Sequence, residues 1–322
     1  MNSEAVSRPA GPRTGVLTGS WPLGLPADGR WFTRLATRVE GLGYDLLFTG
    51  DHLFTHGPIT DAPVLLAHQA AVTERIVLGA GVLLPALREP VVLAKQLATI
   101  DYFSGGRLIC GVGVGGEIAP EWKAMEVPLE RRGRRTDEYL YLMRRLWAGE
   151  PLDVVGEFRS ITGGVAGNPS PARPGGPPIW VGGRSEAALA RAARHDGWMA
   201  YATTPRRVAL QVERLRELRG ADDPLRIAML LFTYVDDDPQ QARRVAARVL
   251  AERYGQDFDR LLDAFCAVGD DDRLVEMVSA YRAAGVDDVL LCPQCGWEEV
   301  PDQIERWAET LLVGATATVV TP

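Results

Sequence analysis

The chain has 322 residues, a length that suits one large α/β barrel or two ordinary domains. Hydrophobic residues make up 46% of it and charged residues 24%, which excludes a wholly disordered protein. The net charge of −7 argues against a nucleic-acid binder or a polybasic membrane anchor. No apolar run reaches the roughly 18 residues that a membrane-spanning helix needs.

Two terminal segments are predicted to lie outside the folded domain. Residues 1–13 are polar and carry no apolar stretch of the secretory type, so we interpret them as a flexible N-terminal tail. Residues 314–322 are predicted to form a short C-terminal tail. The four cysteines are too few for a disulfide framework in a chain of this length, which predicts a reducing, cytoplasmic location.

Short apolar runs recur in the first part of the chain with a regular spacing. The first four begin at Thr14, Asp45, Ile76 and Arg107, each 31 residues after the one before. This interval is close to the length of one βα unit, and continuously apolar runs suit strands buried on both faces, as in a parallel sheet. Eight strands are predicted in all, over residues 14–18, 45–49, 76–79, 107–111, 178–181, 197–200, 226–232 and 288–291.

Amphipathic stretches with helical spacing separate these strands. Thr204 and Asp238 each stand directly before a proline, a pattern typical of an N-cap followed by a first helical turn. Eight alternations of strand and helix predict a single (β/α)8 barrel, or TIM barrel, over residues 14–313. Two longer gaps are predicted to hold an excursion over the barrel mouth before strand five and extra helices before strand eight. These gaps are residues 151–177, with a short hairpin at 153–161, and residues 236–287.

In barrels of this kind the active site lies at the carboxyl ends of the strands, so the residues that follow each strand are the candidates. Asp51 and His52 follow strand two and combine a fixed anion with the one side chain that titrates near neutrality. We predict that this pair is catalytic and transfers a proton, or that it holds a polar ring edge. The alternative is that Asp51 caps the following loop and His52 fills the barrel mouth.

Glycines cluster after strands three and four. Gly79 and Gly81 in a buried run predict a bulge or a close approach of the backbone to a ligand, the alternative being a bend in the barrel wall. Gly113 and Gly115 belong to a run that echoes a dinucleotide-binding loop. No Asp or Glu closes a second strand about 20 residues later, as that motif requires. We therefore interpret the run as a glycine loop that lies against a ligand of another kind.

An anion site is predicted directly after strand five, at Gly182-Gly183-Arg184-Ser185. Ser185 is placed to be the N-cap of the following helix, whose first turn carries unpaired N–H groups and a partial positive charge. The glycines let a phosphate approach the backbone, and Arg184 adds a fixed charge. The alternative is a capped helix start with no ligand.

The sequence gives little support for a metal or redox site. Cys292 and Cys295 have the spacing of redox or zinc sites, but no second ligand pair accompanies them, so we interpret them as two unconnected thiols. The sequence contains no His-x-His and no His-Glu-x-x-His motif, and no metal site is predicted.

These pieces occur together in one known family. The chain resembles the bacterial-luciferase-like superfamily of flavin- and deazaflavin-dependent oxidoreductases. The resemblance runs from about residue 14 to residue 200, in the family's order, and the last third of the chain matches only in pattern. It is carried by Gly41–Leu53, Thr73–Val82, Leu93–Asp101, Ser104–Gly115, Glu130–Arg135 and Ile179–Gly183.

The resemblance implies where a cofactor would bind. An isoalloxazine or deazaflavin ring would lie in the barrel mouth, with one face supported by the bulge after strand three. In the family that bulge often contains a non-prolyl cis peptide bond, which here would join Gly81 and Val82. The phosphate of the cofactor would bind at Gly182-Gly183-Arg184-Ser185.

The resemblance also bears on the cofactor's identity. The Asp51–His52 pair is similar to that of members that use coenzyme F420, an 8-hydroxy-5-deazaflavin. In those members the aspartate contacts the cofactor and the histidine donates or accepts a proton. Related F420 enzymes carry a Glu directly after the strand-four glycines, whereas here Gly116 precedes Glu117, which leaves the role of Glu117 open.

We therefore predict an F420-dependent oxidoreductase that transfers hydride to or from a small organic substrate, such as a natural product. One alternative is an FMN-dependent monooxygenase that uses oxygen and is supplied by a separate flavin or deazaflavin reductase. Another is a non-catalytic flavin-binding protein. The resemblance further implies a homodimer.

Overall fold

The described part of the chain is built around a barrel of parallel strands. The computed structural model describes residues 11–18, 24–55, 57–220, 223 and 225–313, so both predicted tails lie outside it except for residues 11–13. The strands are β1 (Arg13–Thr18), β2 (Leu46–Thr49), β3 (Val77–Ala80), β4 (Leu108–Val112), β5 (Leu152–Val154), β6 (Ile161–Val165), β7 (Ile179–Gly182), β8 (Gly197–Tyr201), β9 (Arg226–Val235), β10 (Ala267–Gly269) and β11 (Asp288–Pro293).

Eight of these strands close the barrel and confirm the predicted (β/α)8 fold. Their order around the barrel is β1-β2-β3-β4-β7-β8-β9-β11, and β11 pairs in parallel with β1 to complete the circle. Every residue of β1, β2, β4 and β11 is buried, as expected for strands covered on both faces. Because the strands are parallel, their carboxyl ends meet at one rim.

Helices surround the barrel, and several begin as predicted. Thr204 and Asp238 are N-caps whose side chains accept hydrogen bonds from backbone amides of the first turn, and Ser185 caps its helix in the same way. None of the helices in the described ranges has the length and apolar character needed to cross a bilayer. The helices are α1 (Arg30–Gly41), α2 (Ala62–Val72), α3 (Pro90–Phe103), α4 (Ala119–Ala124), α5 (Arg132–Trp147), α6 (Glu186–Ala192), α7 (Pro205–Arg219), α8 (Pro239–Tyr254), α9 (Leu262–Phe265), α10 (Asp271–Ala283) and α11 (Val300–Ala308).

The two long gaps contain more strand than the sequence predicts. The predicted hairpin at 153–161 exists as the antiparallel pair β5–β6, but its second strand lies over Ile161–Val165, beyond the predicted end. The gap before β11 holds α8, α9 and α10, and also the short parallel strand β10. This strand forms because β9 continues past the barrel wall to Val235 and offers an edge for Ala267–Gly269 to pair with.

The N-terminal boundary also differs from the prediction, because Arg13 belongs to the barrel and not to the tail. Arg13 begins β1 and is 9% exposed. Its Nε and Nη2 atoms donate to the two carboxylate oxygens of Asp288 at 2.8 and 2.9 Å. Arg226 binds the same carboxylate through its own Nε and Nη2 atoms, at 2.7 and 2.6 Å. One fully buried carboxylate therefore joins the amino ends of the three neighbouring strands β1, β11 and β9.

The buried Asp288 carboxylate should contribute strongly to stability. Burial alone would raise its pKa, but the hydrogen bonds and charges of Arg13 and Arg226 outweigh burial and hold the pKa of Asp288 below its ordinary value. We expect Asp288→Asn to lower the free energy of unfolding at pH 7 by about 3 kcal/mol, because it removes the buried negative charge that both guanidinium groups bind. Urea-induced unfolding followed by tryptophan fluorescence measures the change.

The control is Asp153→Asn, which alters an exposed carboxylate on β5 and should change the unfolding free energy by less than about 0.5 kcal/mol. Since the folded pKa of Asp288 is depressed, its stabilisation is present above the ordinary carboxyl pKa of about 3.9 and is lost as the pH falls through the lower folded value. The gap between wild type and Asp288→Asn should therefore narrow on acidification. A loss no larger than that of the control would contradict this role.

Candidate active site

Most of the site lies around the segment that follows β3. This segment forms the predicted bulge. Gly79 pairs with Ile109, and the next pairing on the same edge joins Leu83 to Val112. Between the two pairings the β3 chain uses one residue more than the β4 chain, which is the definition of a bulge. The peptide bond Gly81–Val82 inside it is cis, as the resemblance implied.

The side chain of Val82 brings three of the predicted loops together. A Cβ atom added at Gly113 would lie 2.6 Å from Cγ2 of Val82, and one added at Gly182 would lie 3.1 Å from its Cγ1. Gly113 therefore has no room for a side chain, and Gly182 has little. The loops that follow β3, β4 and β7 thus meet at the mouth through glycine backbone. Gly115 lies further along the same loop, where its carbonyl accepts a hydrogen bond from Nε of Arg132 at 3.0 Å.

Asp51 lies at this rim but is occupied by partners within the protein. It is 3% exposed, and one carboxylate oxygen accepts a hydrogen bond of 2.6 Å from Nη2 of Arg88. The other oxygen accepts from Nε of Arg88 and from the backbone N–H of Leu84, both at 3.3 Å. Asp51 therefore holds the chain that follows the bulge, and both of its oxygens have partners.

His52 is held by a carboxylate that sequence analysis missed. Glu121, in α4, is fully buried, and its two oxygens lie 3.1 and 3.2 Å from Nδ1 of His52. Glu121 also accepts a hydrogen bond of 3.1 Å from the backbone N–H of Leu53. In the described part of the chain Nε2 of His52 has no hydrogen-bond partner, and the side chain is 29% exposed. The arrangement favours a proton on Nδ1 and leaves Nε2 for an external partner.

The surroundings of His52 favour its protonated form. Burial alone would lower its pKa, but the hydrogen bond and charge of Glu121, with smaller contributions from Asp51 and Glu117, outweigh burial and raise the pKa of His52 above its ordinary value. A larger fraction of this histidine is therefore protonated at neutral pH than in an unperturbed imidazole. The site can store a proton and release it at Nε2.

The predicted anion loop is oriented by two hydrogen bonds to its carbonyl groups. The carbonyl of Gly183 accepts from Nε1 of Trp198 at 2.8 Å, and that of Arg184 accepts from Nε2 of Gln211 at 3.0 Å. In a planar trans peptide the N–H of the next residue points away from the carbonyl. The N–H groups of Arg184 and Ser185 therefore point away from Trp198 and Gln211, and neither has an acceptor among the described residues. This geometry fits a bound anion.

The side chain of Arg184 turns towards β8 and the mouth. Its guanidinium carbon lies 5.0 Å from the ring centroid of Tyr201, and its Nη1 donates to the carbonyl of Ala202 at 2.6 Å. The hydroxyl of Tyr201 lies 3.5 Å from Oε1 of Glu117, whose charge also acts on His52. Burial, and then the charge of Glu117, raise the pKa of Tyr201 above its ordinary value, so the phenol keeps its proton. Glu117 thus connects the two sides of the mouth electrostatically.

Three residues of the site were not found by sequence analysis. Arg88 and Tyr201 gave no local signal, because their roles come from contacts with Asp51 and Arg184 across the mouth. Glu121 did give a local sequence signal, since a proline at position 120 followed by an acidic residue at position 121 is typical of the first turn of a helix. That turn comes shortly after the strand-four glycine loop, at the rim where strand ends meet.

Cys292, near the end of β11, and Cys295, just after it, have no contact with the site residues described above. Cys292 and Cys295 are buried free thiols. Burial raises the pKa of both, which disfavours the thiolate that redox or metal chemistry requires.

Comparison with known proteins assigns the chain to a family. Residues 9–288 match the family described as luciferase-like monooxygenase. The chain therefore belongs to this family, whose members are flavin- and F420-dependent oxidoreductases and monooxygenases. The match covers the bulge, the anion loop and every barrel strand up to the start of β11.

Curated relatives use different cofactors. An uncharacterised protein of Mycobacterium tuberculosis is 38% identical over 186 residues, which is 56% of this chain and 63% of the relative. An FMNH2-dependent dimethylsulfone monooxygenase of Pseudomonas putida is 30% identical over 61% of this chain and 54% of its own. A second M. tuberculosis protein, provisionally named a coenzyme F420-dependent oxidoreductase, is 30% identical over 65% of this chain and 60% of its own. The chain thus spans less than two thirds of the length of these relatives.

Solved structures extend the likeness over nearly the whole chain. Monooxygenase RslO1 from Streptomyces bottropensis superimposes with a TM-score of 0.81 and 28% identity, covering 94% of this chain and 99% of its own. An F420-dependent secondary alcohol dehydrogenase superimposes with a TM-score of 0.80 over 94% of this chain and 98% of its own. At 18% identity, this second likeness concerns the fold alone.

The contact between His52 and Glu121 can be tested by titration. We expect Glu121→Gln to lower the pKa of His52, because burial would then act against the charged imidazole without the opposing carboxylate. Proton NMR of the histidine ring signals as a function of pH measures the shift. Glu126→Gln, at an exposed carboxylate just beyond α4, is the matched control and should leave the titration unchanged. An unchanged His52 titration in Glu121→Gln would show that the contact does not set its protonation.

Proposed function

We propose that the protein is a coenzyme F420-dependent oxidoreductase that transfers a hydride to or from a small organic substrate. The observation that carries this proposal is the His52–Glu121 pair, a proton-holding histidine at the mouth of a barrel of this family. Hydride transfer to a carbonyl carbon leaves an oxygen that must gain a proton, and the reverse reaction must remove one. A histidine with a raised pKa, whose Nε2 has no partner among the described residues, would supply that function.

The described residues fit such a cofactor. The phosphate would be held by the N–H groups of Arg184 and Ser185, which have no acceptor of their own among the described residues. The ring would lie near Val82, where the loops after β3, β4 and β7 meet. When bound, a deazaflavin supplies the carbon that donates or accepts the hydride. The protein supplies the position of the ring and the proton.

The residues at the mouth would divide these tasks. His52 would donate or accept the proton at Nε2, while Glu121 fixes its ring through Nδ1. Tyr201 keeps its proton and would offer a neutral hydrogen-bond donor on the opposite side. For Asp51 we propose a positioning role in place of direct contact with the cofactor, because both of its oxygens are already bound by Arg88 and the backbone.

A second candidate is an FMN-dependent monooxygenase that receives reduced FMN from a separate reductase. It is supported by the 30% identical FMNH2-dependent relative and by the likeness to monooxygenase RslO1. The anion loop serves this candidate equally well, because FMN carries a phosphate at the corresponding end. The two candidates differ in the ring and in what lies beyond the phosphate.

Cofactor preference is measured by titrating the purified protein with oxidised F420 and, separately, with FMN while following the fluorescence of each. We expect F420 to bind at least about tenfold more tightly than FMN, a difference of about 1.4 kcal/mol in binding free energy. Tighter binding of FMN would reverse the choice in favour of the monooxygenase. Consumption of oxygen with reduced FMN and substrate would then be the next measurement.

The role of His52 is tested by His52→Gln, assayed as oxidation of reduced F420 by a panel of ketones, aldehydes and enones. We expect turnover to fall by a factor of about 100 or more, because general acid–base catalysis is lost, while the Kd for F420 stays close to that of wild type. His68→Gln is the control, since His68 contacts Thr33 on the helices outside the mouth. Wild-type turnover in His52→Gln would refute the proton-transfer role. Cofactor binding without turnover in the wild type would favour a non-catalytic binder.

A further inference from the structure

A basic cleft lies beside the anion loop, between α6 and α7. Its volume is about 550 Å³, within the range of small-molecule sites. Its walls carry four arginines and a single carboxylate, that of Glu186. The arginines are Arg184, Arg206, Arg207 and Arg214.

Two of these arginines have charges that no neighbouring group neutralises. Arg206 and Arg207 are exposed on the first turn of α7, and within the described ranges neither forms an ion pair. Arg214 differs, because it is bound by Glu186 at 2.6 Å and by Glu217 at 2.9 Å. The entrance of the cleft therefore has a net positive charge on a protein whose net charge is −7. Such a local field attracts an anion.

The cleft is continuous with the anion loop. Arg184 belongs to both, and Gln211, which lines the cleft, donates a hydrogen bond to the Arg184 carbonyl. Thr204 caps α7 at the same end, so the first-turn amides of that helix also lie at the cleft. The N–H groups of Arg184 and Ser185 lie on the side of the loop away from Gln211, so a chain that leaves a phosphate bound there would reach the cleft around Arg184, which lines it. The exposed Leu210 offers an apolar surface along the way.

We propose that this cleft binds a multiply charged carboxylate chain that extends from the cofactor beyond its phosphate. The proposal rests on the proposed function, since it concerns the same bound cofactor. FMN ends at its phosphate, whereas F420 continues through a lactyl group into a chain of glutamate residues. Carboxylates are the natural partners of guanidinium groups, which bind them through paired N–H donors. Arg206 and Arg207 are the specificity-determining residues of this subsite.

The cleft is open to solvent, which is compatible with a glutamate chain of variable length. Exposed ion pairs contribute little individually and are screened by salt, so the subsite adds moderate affinity and does not demand a fixed number of carboxylates. A cleft of this size, on an acidic protein, does not match the extended basic surface that a nucleic acid requires. The chain attached to the cofactor is therefore the occupant that the position of the cleft favours.

The test compares two ligands with the same ring and the same phosphate. One is F420, and the other is the deazaflavin 5′-phosphate, which lacks the lactyl and glutamate groups. In Arg206→Ala/Arg207→Ala we expect the Kd for F420 to rise about fivefold, as the loss of two exposed ion pairs implies, with no change for the 5′-phosphate. The rise should shrink in high salt. Fluorescence titration gives both Kd values without any need for turnover.

The matched control is Arg216→Ala/Arg248→Ala, which removes two exposed arginine charges from α7 and α8 outside the cleft. It should leave both Kd values unchanged. An unchanged Kd for F420 in the cleft variant, or an equal rise for both ligands, would overturn the subsite while leaving the F420 assignment standing. If the wild type binds FMN in preference to F420, the proposed function fails first, and the subsite fails with it.

Discussion

One buried carboxylate, that of Asp288, joins the strands at which the barrel closes. Asp288 binds Arg13 and Arg226 at the amino end, so that the first, the last and the adjoining strand cannot separate. An ion pair in this position is costly to bury and stabilises only while both arginines are in place. Since the barrel strands are parallel, their carboxyl ends, which the candidate site residues follow, meet at the opposite rim. Residues from distant parts of the chain, such as His52 and Tyr201, thereby face one space.

The barrel itself could be predicted because its strands are buried on both faces. Continuous apolar runs mark such strands in the sequence, and all eight predicted runs overlap barrel strands. The short strands β6 and β10, which differed from prediction, have no continuous apolar run. β6 carries Gly163 and Gly164 with exposed neighbours, and β10 has three residues that are recognised only when β9 extends to meet them. Arg13 was assigned to the tail with the polar segment that precedes it, because its partner Asp288 lies 275 residues away in the sequence.

The site was predictable where function follows from position along the chain. Reading the residues after each strand locates His52, the bulge at Gly81–Val82 and the anion loop, since closure of a parallel barrel places them together. Taking the residues after each strand does not locate side chains that lie in helices or turns and contact the site from there. Arg88 follows a single 3-10 turn, and Glu121 lies in a helix of six residues, so neither has a strand to mark it. The contact of Asp51 with Arg88 was not found for the same reason, because nothing in the sequence connects these two residues.

The charges near His52 explain why the mouth alone does not choose a cofactor. Arg88 neutralises Asp51, so the remaining buried charge at the site is that of Glu121. When His52 is protonated, its charge balances that carboxylate, and when it is neutral a buried negative charge remains. This difference favours the protonated imidazole, and the groups that raise the pKa of His52, Glu121 above all, belong to the protein and not to a cofactor. The anion loop is similarly indifferent, since it offers backbone N–H groups to any phosphate. Discrimination between a flavin and a deazaflavin must therefore come from protein residues that contact the parts in which the two cofactors differ. The proposed subsite in the basic cleft beside the anion loop would make that distinction through Arg206 and Arg207.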